Sequence, residues 1–378
     1  MGIYLDNAAT TKPYPEVASK VTEVLSELWG NPSSIHKFGE QSKDLISNAR
    51  KDIASALGAN EAEIFFTSGG TESINLAILG ATTSYEQPYG KHIVTTDVEH
   101  SAVAKTVRNL RREFDCKVDY LPIVNYKLDL DALERSITDE TSLVSVMLVQ
   151  NEVGTIFPLH EISKIVRRKN PNTILHCDAV QGFGKIKFTV DDLGVDLLSV
   201  SAHKIHGVSG CGALYVKEGT KLSARQFGGG QEKGLRSGTE STAMIAAFSE
   251  AVRITFENID RDISHITSLR DYTLSELSKK FPEVILITDN ECAPHIVGFT
   301  FPFVMAEDVV RTLGEHEIYI SNGSACKSNF RSSTKRKQAL EYYGLSDEMV
   351  RHTLRVSFCD SNTTTEIDEM LVALANMM

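Results

Sequence analysis

The stretch TILHCDAVQGFGKIKFTVDDLGVDLLSVSAHKIHG, Thr173 to Gly207, holds two apolar runs of strand length, Thr173–Asp178 and Asp196–Ser201. Neither run alternates; each is nearly continuous, as a strand reads when both of its faces are buried. Each also ends on groups foreign to a core: Asp178 closes the first, and His203 and Lys204 follow the second. Buried parallel strands that end in polar groups describe an open α/β sheet, and such sheets gather ligands beyond the carboxyl ends of their strands.

The pattern repeats outward. Strands are predicted at Glu63–Thr67, Lys91–Thr96, Lys117–Pro122, Ser142–Gln150 and Gly212–Lys217, and helices at Thr71–Thr83, Ser101–Phe114, Leu128–Ile137 and Pro158–Arg168. This alternation predicts an α/β fold with a large, mostly parallel sheet covered on both faces, spanning residues 15–255. One long helical pattern runs from Thr239 to about Phe281. Beyond it lie expected strands at Val284–Thr288, His295–Phe301, Ile318–Ser321 and Thr353–Ser357, with helices at Glu307–Glu315 and from Thr364. Residues 1–14 and 256–378 are expected to form a smaller α+β domain. A chain of 378 residues suits two to three domains at roughly 150 residues each.

Composition excludes several classes. The net charge of −11 opposes wholesale coating of nucleic acid, so no direct nucleic-acid partner is expected. No run of about 18 apolar residues exists to span a membrane. The amino terminus lacks a basic segment followed by an apolar one, so a cytoplasmic location is expected. The 6 cysteines are scattered and form no CxxC pair, so neither a zinc knuckle nor a disulfide scaffold is read, and no metal site is expected.

Four clusters can carry chemistry. SGGTES (Ser68–Ser73) joins a strand to a helix; its glycines and the free N–H groups of a helix start suit a phosphate, and the same residues suit a plain turn capped by Thr71. In HCDAVQ (His176–Gln181), Asp178 needs a cation or strong donors, such as a protonated pyridine nitrogen or a helix start. In SVSAHKIHG (Ser199–Gly207), Lys204 beside His203 and His206 reads either as an amine nucleophile towards an aldehyde or as a solvated lysine. In SNGSACKS (Ser321–Ser328), Cys326 sits among small polar residues, as an exposed, ionisable thiol or an incidental loop cysteine. DVEH (Asp97–His100) brings an imidazole to the same sheet edge. Arg355, within LRVSF, suggests either a carboxylate clamp or an internal ion pair. Phosphate cradle, acid, amine, imidazole and clamp together are what pyridoxal 5'-phosphate requires. A nicotinamide or nucleotide module is disfavoured, because neither GxGxxG nor GxxxxGK[ST] occurs.

The order of motifs resembles the cysteine desulfurases of the NifS/IscS type, in the class V group of fold-type I pyridoxal-phosphate enzymes. The resemblance rests on YLDNAATT (Tyr4–Thr11), NPSSIHKFG (Asn31–Gly39), TSGGTES (Thr67–Ser73), VEHSAV (Val98–Val103), QNEVGTIFP (Gln150–Pro158), CDAVQGFGK (Cys177–Lys185), SAHKIHG (Ser201–Gly207), GGGQEKGLRSGTE (Gly228–Glu240), NGSAC (Asn322–Cys326) and LRVSF (Leu354–Phe358). It implies that Lys204 holds the cofactor covalently, Asp178 pairs with the ring nitrogen, Gln181 bonds the ring oxygen and His100 stacks on the ring. Gly70, Thr71, Ser201 and His203 would bind the phosphate, and Thr239 would reach the phosphate of a second subunit in a homodimer. Asn151 and Arg355 would hold the carboxylate of L-cysteine, and Cys326 would take the sulfur as a persulfide for an acceptor protein in iron–sulfur cluster assembly or in tRNA or cofactor thiolation. A selenocysteine lyase or an aminotransferase of the same group is the alternative. Val208, Cys211, Asn322, Cys359 and Asp360 depart from the usual pattern. The basic stretch Arg331–Lys337 reads as a solvated loop or a docking patch for an acidic acceptor or RNA.

Overall fold

Seven strands form the main sheet of the computed structural model, which describes residues 2–83, 90–323 and 338–377. Across the sheet they run Ile64–Thr67, Gly212–Val216, Leu197–Ser201, Ile174–Asp178, Thr141–Met147, His92–Thr96 and Lys117–Leu121. All are parallel except Gly212–Val216, which is antiparallel to both neighbours. The mostly parallel α/β architecture is thus present, with strand ends moved by a residue or a few.

The central strands are apolar throughout because helices cover both faces. On one face, Ile74, Ala77, Ile78 and Ala81 of helix Gly70–Thr82 pack with Val103, Val107 and Leu110 of helix Ser101–Glu113. The spacing of three and four residues puts each set on one helical stripe. On the other face lie Ile46, Ala49, Ile53 and Leu57 of helix Lys37–Leu57, with Ile245, Phe248 and Val252 of helix Thr242–Glu257.

Four differences from the sequence reading have physical reasons. Helices Pro15–Glu27 and Lys37–Leu57 were not anticipated; Pro15 starts the first, and Gly58, at φ +67°, ends the second in the left-handed region. The long pattern from Thr239 to Phe281 is two helices, Thr242–Glu257 and Ile259–Lys280. They part at Asn258, whose side-chain amide donates to the Ile254 carbonyl at 2.9 Å and so competes with the backbone ladder. The helix expected from Leu128 starts at Leu130, because Lys127–Leu128 pairs with Ile123–Val124. The strand expected over Ile318–Ser321 is divided: Ile318–Tyr319 pairs with Ile3–Tyr4, and Ser321–Asn322 joins another sheet.

That second sheet is antiparallel and runs Ile285–Leu286, Ile296–Thr300, Thr353–Ser357, Ser321–Asn322. It carries its own core, including Leu269, Val297, Phe299, Val356, Leu371 and, from the chain start, Leu5. The segment after Tyr4 crosses from one sheet to the other. Asn7 donates to the Ser357 carbonyl at 3.0 Å, Ala8 N–H to the Ser357 hydroxyl at 2.8 Å, and Thr11 N–H to the His203 carbonyl at 2.9 Å.

Candidate active site

A cavity of about 380 Å³ opens at the carboxyl edge of the main sheet. Gly70, Thr71, His100, Asn151, Asp178, Gln181, Ser201, His203 and Lys204 all line it. They arrive from five different strand ends, which is why they are far apart in sequence and adjacent in space. Thr239 is exposed and does not line this cavity. Cys326 and the stretch Arg331–Lys337 lie outside the described residues. The five cysteines within them, Cys116, Cys177, Cys211, Cys292 and Cys359, are all buried.

One end of the cavity is a cradle. After Thr67 the chain turns through Gly69, at φ +149°, into the helix that begins at Gly70. A Cβ on Gly70 would stand 2.7 Å from a Val180 methyl, and one on Gly212 would stand 2.7 Å from the Gly69 backbone. Only glycine lets the turn lie this close to the neighbouring strand. Thr71 does not cap the helix: the cap is Gly69, which brings no side-chain bond. The first-turn N–H groups therefore face the cavity mouth with the positive end of the helix dipole. Glu72 also lines this end, paired with Arg236 at 2.8 Å and with the Ser68 N–H at 2.7 Å. Those bonds outweigh burial and keep its carboxyl below the ordinary range. The second glycine-rich segment braces this end: Glu232 accepts from both Arg50 amines, at 2.6 and 2.9 Å, and from Phe66 N–H at 2.9 Å.

At the floor, Asp178 is 4% exposed. One oxygen accepts the Val180 N–H at 3.0 Å. Burial raises its pKa, with His100 and that N–H pulling the other way. A carboxylate in this setting lacks a full counter-charge, and a cationic N–H in the cavity would supply it. His100 caps the helix Ser101–Glu113, accepting the Ala102 N–H at 3.2 Å through Nδ1. Burial lowers its pKa against the pull of Asp178, so the ring is a neutral surface over the floor. His203 is likewise pushed down, to about 4, by burial and by Lys204.

The Lys204 amine donates to the carbonyls of Ala8 and Ala9, at 2.6 and 2.7 Å. It is thus aimed by the crossing segment and is not a solvated surface lysine. Gln181 donates to the same Ala8 carbonyl at 2.8 Å and meets His295 Nε2 at 3.3 Å.

Arg355 does not itself line the cavity; it borders it. One amine donates to the Asn151 carbonyl at 2.7 Å and the other to Asp6 at 2.8 Å. Its Nε has no hydrogen-bond partner among the described residues. Of the two sequence readings, the internal ion pair is present: Asp6 is that acid. Asp6 feels burial first, which raises its pKa, and Arg355 second, which lowers it.

Several participants escaped the sequence reading. Glu99, buried beneath the floor, accepts from the Thr96 hydroxyl at 2.9 Å and Met147 N–H at 3.0 Å. Burial, reinforced by the charge of Asp178, raises it to about 8, so it is protonated at neutral pH. An acid inside the strand-end motif VEH was the available signal. Asp6, Ala8 and Ala9 belong to YLDNAATT, whose polar residues so near an apolar start marked it as more than a tail. Nothing local marked His295.

Residues 3–370 match the family described as aminotransferase class-V. A relative named cysteine desulfurase IscS, from Dictyoglomus turgidum, is 38% identical over 378 residues, covering all of this chain and 94% of the relative. The solved structure of a NifS-like protein superposes with a TM-score of 0.92 at 34% identity, covering 100% of this chain and 99% of that one. A structure described as SspA in complex with cysteine gives a TM-score of 0.81 at 30% identity, covering 96% of this chain and 100% of that one.

Proposed function

We propose that this chain, which belongs to the aminotransferase class-V family, is a cysteine desulfurase that converts L-cysteine to L-alanine and leaves the sulfur as a persulfide on Cys326. One observation carries the reading: the Lys204 amine, the buried Asp178 carboxylate and the glycine cradle at Gly70 converge on a single cavity.

The residues present fit pyridoxal 5'-phosphate. The cradle offers backbone N–H groups to a phosphate, joined by Thr71, Ser201 and His203, and the under-compensated Asp178 suits a protonated ring nitrogen. When bound, that cofactor supplies an electron-withdrawing ring able to take up negative charge from a substrate carbon. Asp178 would keep positive charge at the ring nitrogen, Gln181 would donate to the ring oxygen, and neutral His100 would pack against the ring. Lys204 would hold the cofactor covalently and, once freed, would take the α-proton of the substrate. Asn151, which lines the cavity, and Arg355 at its border hold the substrate carboxylate. The Cys326 thiolate then attacks the substrate sulfur. The carbon–sulfur bond breaks, the sulfur–sulfur bond forms, and the electron pair left on carbon is protonated as alanine departs.

Further parts belong to the same proposal. The chain divides near residue 255: helix Thr242–Glu257 packs on the first core and helix Ile259–Lys280 on the second. A homodimer is supported by exposed Trp29, Ile35, Phe38 and Phe227, at 68, 95, 46 and 85% exposure, which a lone subunit would leave in water. Thr239 then serves the partner's phosphate. The persulfide passes to an acceptor protein in iron–sulfur cluster assembly or thiolation. No described helix is long and apolar enough to cross a membrane, and the cytoplasm is the proposed location.

Borohydride reduction followed by peptide mapping tests the core of the reading. The cofactor should be tethered at Lys204, and L-cysteine labelled with radioactive sulfur should label Cys326 but not a Cys326→Ser variant. A tag on another lysine, or undiminished labelling of Cys326→Ser, overturns it.

A further inference from the structure

A second hollow, of about 1140 Å³, lies between the crossing amino-terminal segment and the end of strand Thr353–Ser357. Its wall brings together three side chains that the reaction above does not use. A ring nitrogen of His206, the Sγ of Cys359 and a carboxylate oxygen of Asp360 all lie within 4.8 Å of one another.

Hydrogen bonding decides what these atoms present. His206 Nδ1 lies 2.9 Å from the Lys12 carbonyl. A carbonyl only accepts, so Nδ1 carries the ring proton. An imidazole is mostly neutral at pH 7, and Nε2 then bears a lone pair. That lone pair faces Asp360 Oδ1 at 3.4 Å. Oδ1 is buried and has no hydrogen-bond partner among the described residues. The other oxygen, Oδ2, accepts from the Tyr14 hydroxyl at 3.2 Å. Two acceptors thus confront one another with a thiol beside them, an arrangement that a shared cation relieves.

We propose that His206, Cys359 and Asp360 bind one divalent metal ion of the zinc class. Nitrogen, sulfur and carboxylate oxygen together are a donor set that zinc favours. Tetrahedral zinc with ordinary bond lengths separates its nitrogen and oxygen ligands by about 3.3 Å, which the His206–Asp360 pair already matches. The sulfur must close in by about an ångström, within reach of a side-chain rotation. The supports are also in place: the Lys12 carbonyl fixes the imidazole, Tyr14 stacks on it at a centroid distance of 4.4 Å, and the Tyr14 hydroxyl holds the carboxylate. Lys185, a buried amine near Cys359 and Asp360, is the opposing charge. Binding releases the Cys359 thiol proton to solvent, so thiolate and carboxylate together balance the ion. Three protein ligands leave the fourth position open to the hollow.

The test uses full-length, cofactor-loaded protein carrying Cys326→Ser, so that the thiol assigned to the reaction does not count. Stripped with a chelator and dialysed against zinc, it should retain one zinc per chain and release a proton on binding. Adding Asp360→Asn or Cys359→Ser, both close in size to the native residue, should each weaken zinc binding about tenfold or more while leaving the cofactor's absorption spectrum unchanged. Failure to retain zinc overturns the site, and so does zinc retained equally well by both added variants.

Discussion

The two sheets serve the cavity in opposite ways. The large sheet sends it a group from nearly every parallel strand end, and each stands on backbone buried on both faces. The small sheet only borders it, through Arg355, and that side chain is aimed by residues outside its own sheet, Asp6 and Asn151. The cavity floor, the proposed cofactor end, is therefore built on buried strands, whereas Arg355, the proposed carboxylate clamp, is held at a seam. Change at the floor should destroy chemistry; change at the seam should tune substrate capture.

The largest effect is expected from Asp178→Asn. The amide keeps the size and the Val180 contact but not the charge, so kcat should fall by about 10²–10³-fold, as when one preorganised charge contact is lost. A near-normal kcat would remove the floor from its privileged place in the comparison.

Arg355→Lys comes next. A lysine keeps the charge and loses the planar fork, so KM for L-cysteine should rise about tenfold to a hundredfold with kcat little changed. A fall in kcat at unchanged KM would mean that the seam acts in the chemical step and would erase the contrast.

A third effect concerns stability. His176, wholly buried in the large sheet, touches the Ser145 and Ser199 hydroxyls at 2.9 and 3.0 Å. Burial pushes it down to about 3. Between the ordinary histidine value near 6.5 and about 3, the unfolded chain binds a proton that the folded chain does not. Stability thus falls as pH falls through that window, by up to about 1.4 kcal/mol per pH unit for this group. Thermal melts from pH 7 down to 4 should show it, and His176→Gln should flatten the slope. An unchanged slope in the variant would place the acid-sensitive group elsewhere.

Legibility in the sequence divides along the same line. Strand Ile174–Asp178 could be read because burial on both faces makes it continuously apolar, so that Asp178 stands out. Lys204 and His203 stand out for the same reason after Leu197–Ser201. What could not be read depends on distance or on one atom's choice of partner. Asp6 meets Arg355 across 349 positions, and no local pattern announces such a pairing. The break at Asn258 carries no proline or glycine; it depends on where one amide bonds. Thr71 looked like a cap and is not one, because Gly69 reaches a conformation that dispenses with a side-chain bond.

The segment that crosses between the sheets has a consequence for how the molecule is made. Asn7 bonds Ser357, 350 positions away, and Ala8 bonds it across 349. During synthesis these two residues leave the ribosome well ahead of their partner. Until translation reaches Ser357, the segment whose carbonyls orient Lys204 lacks that anchor on the far side. The position of the Lys204 amine thus depends on a late long-range closure of the kind that slows folding.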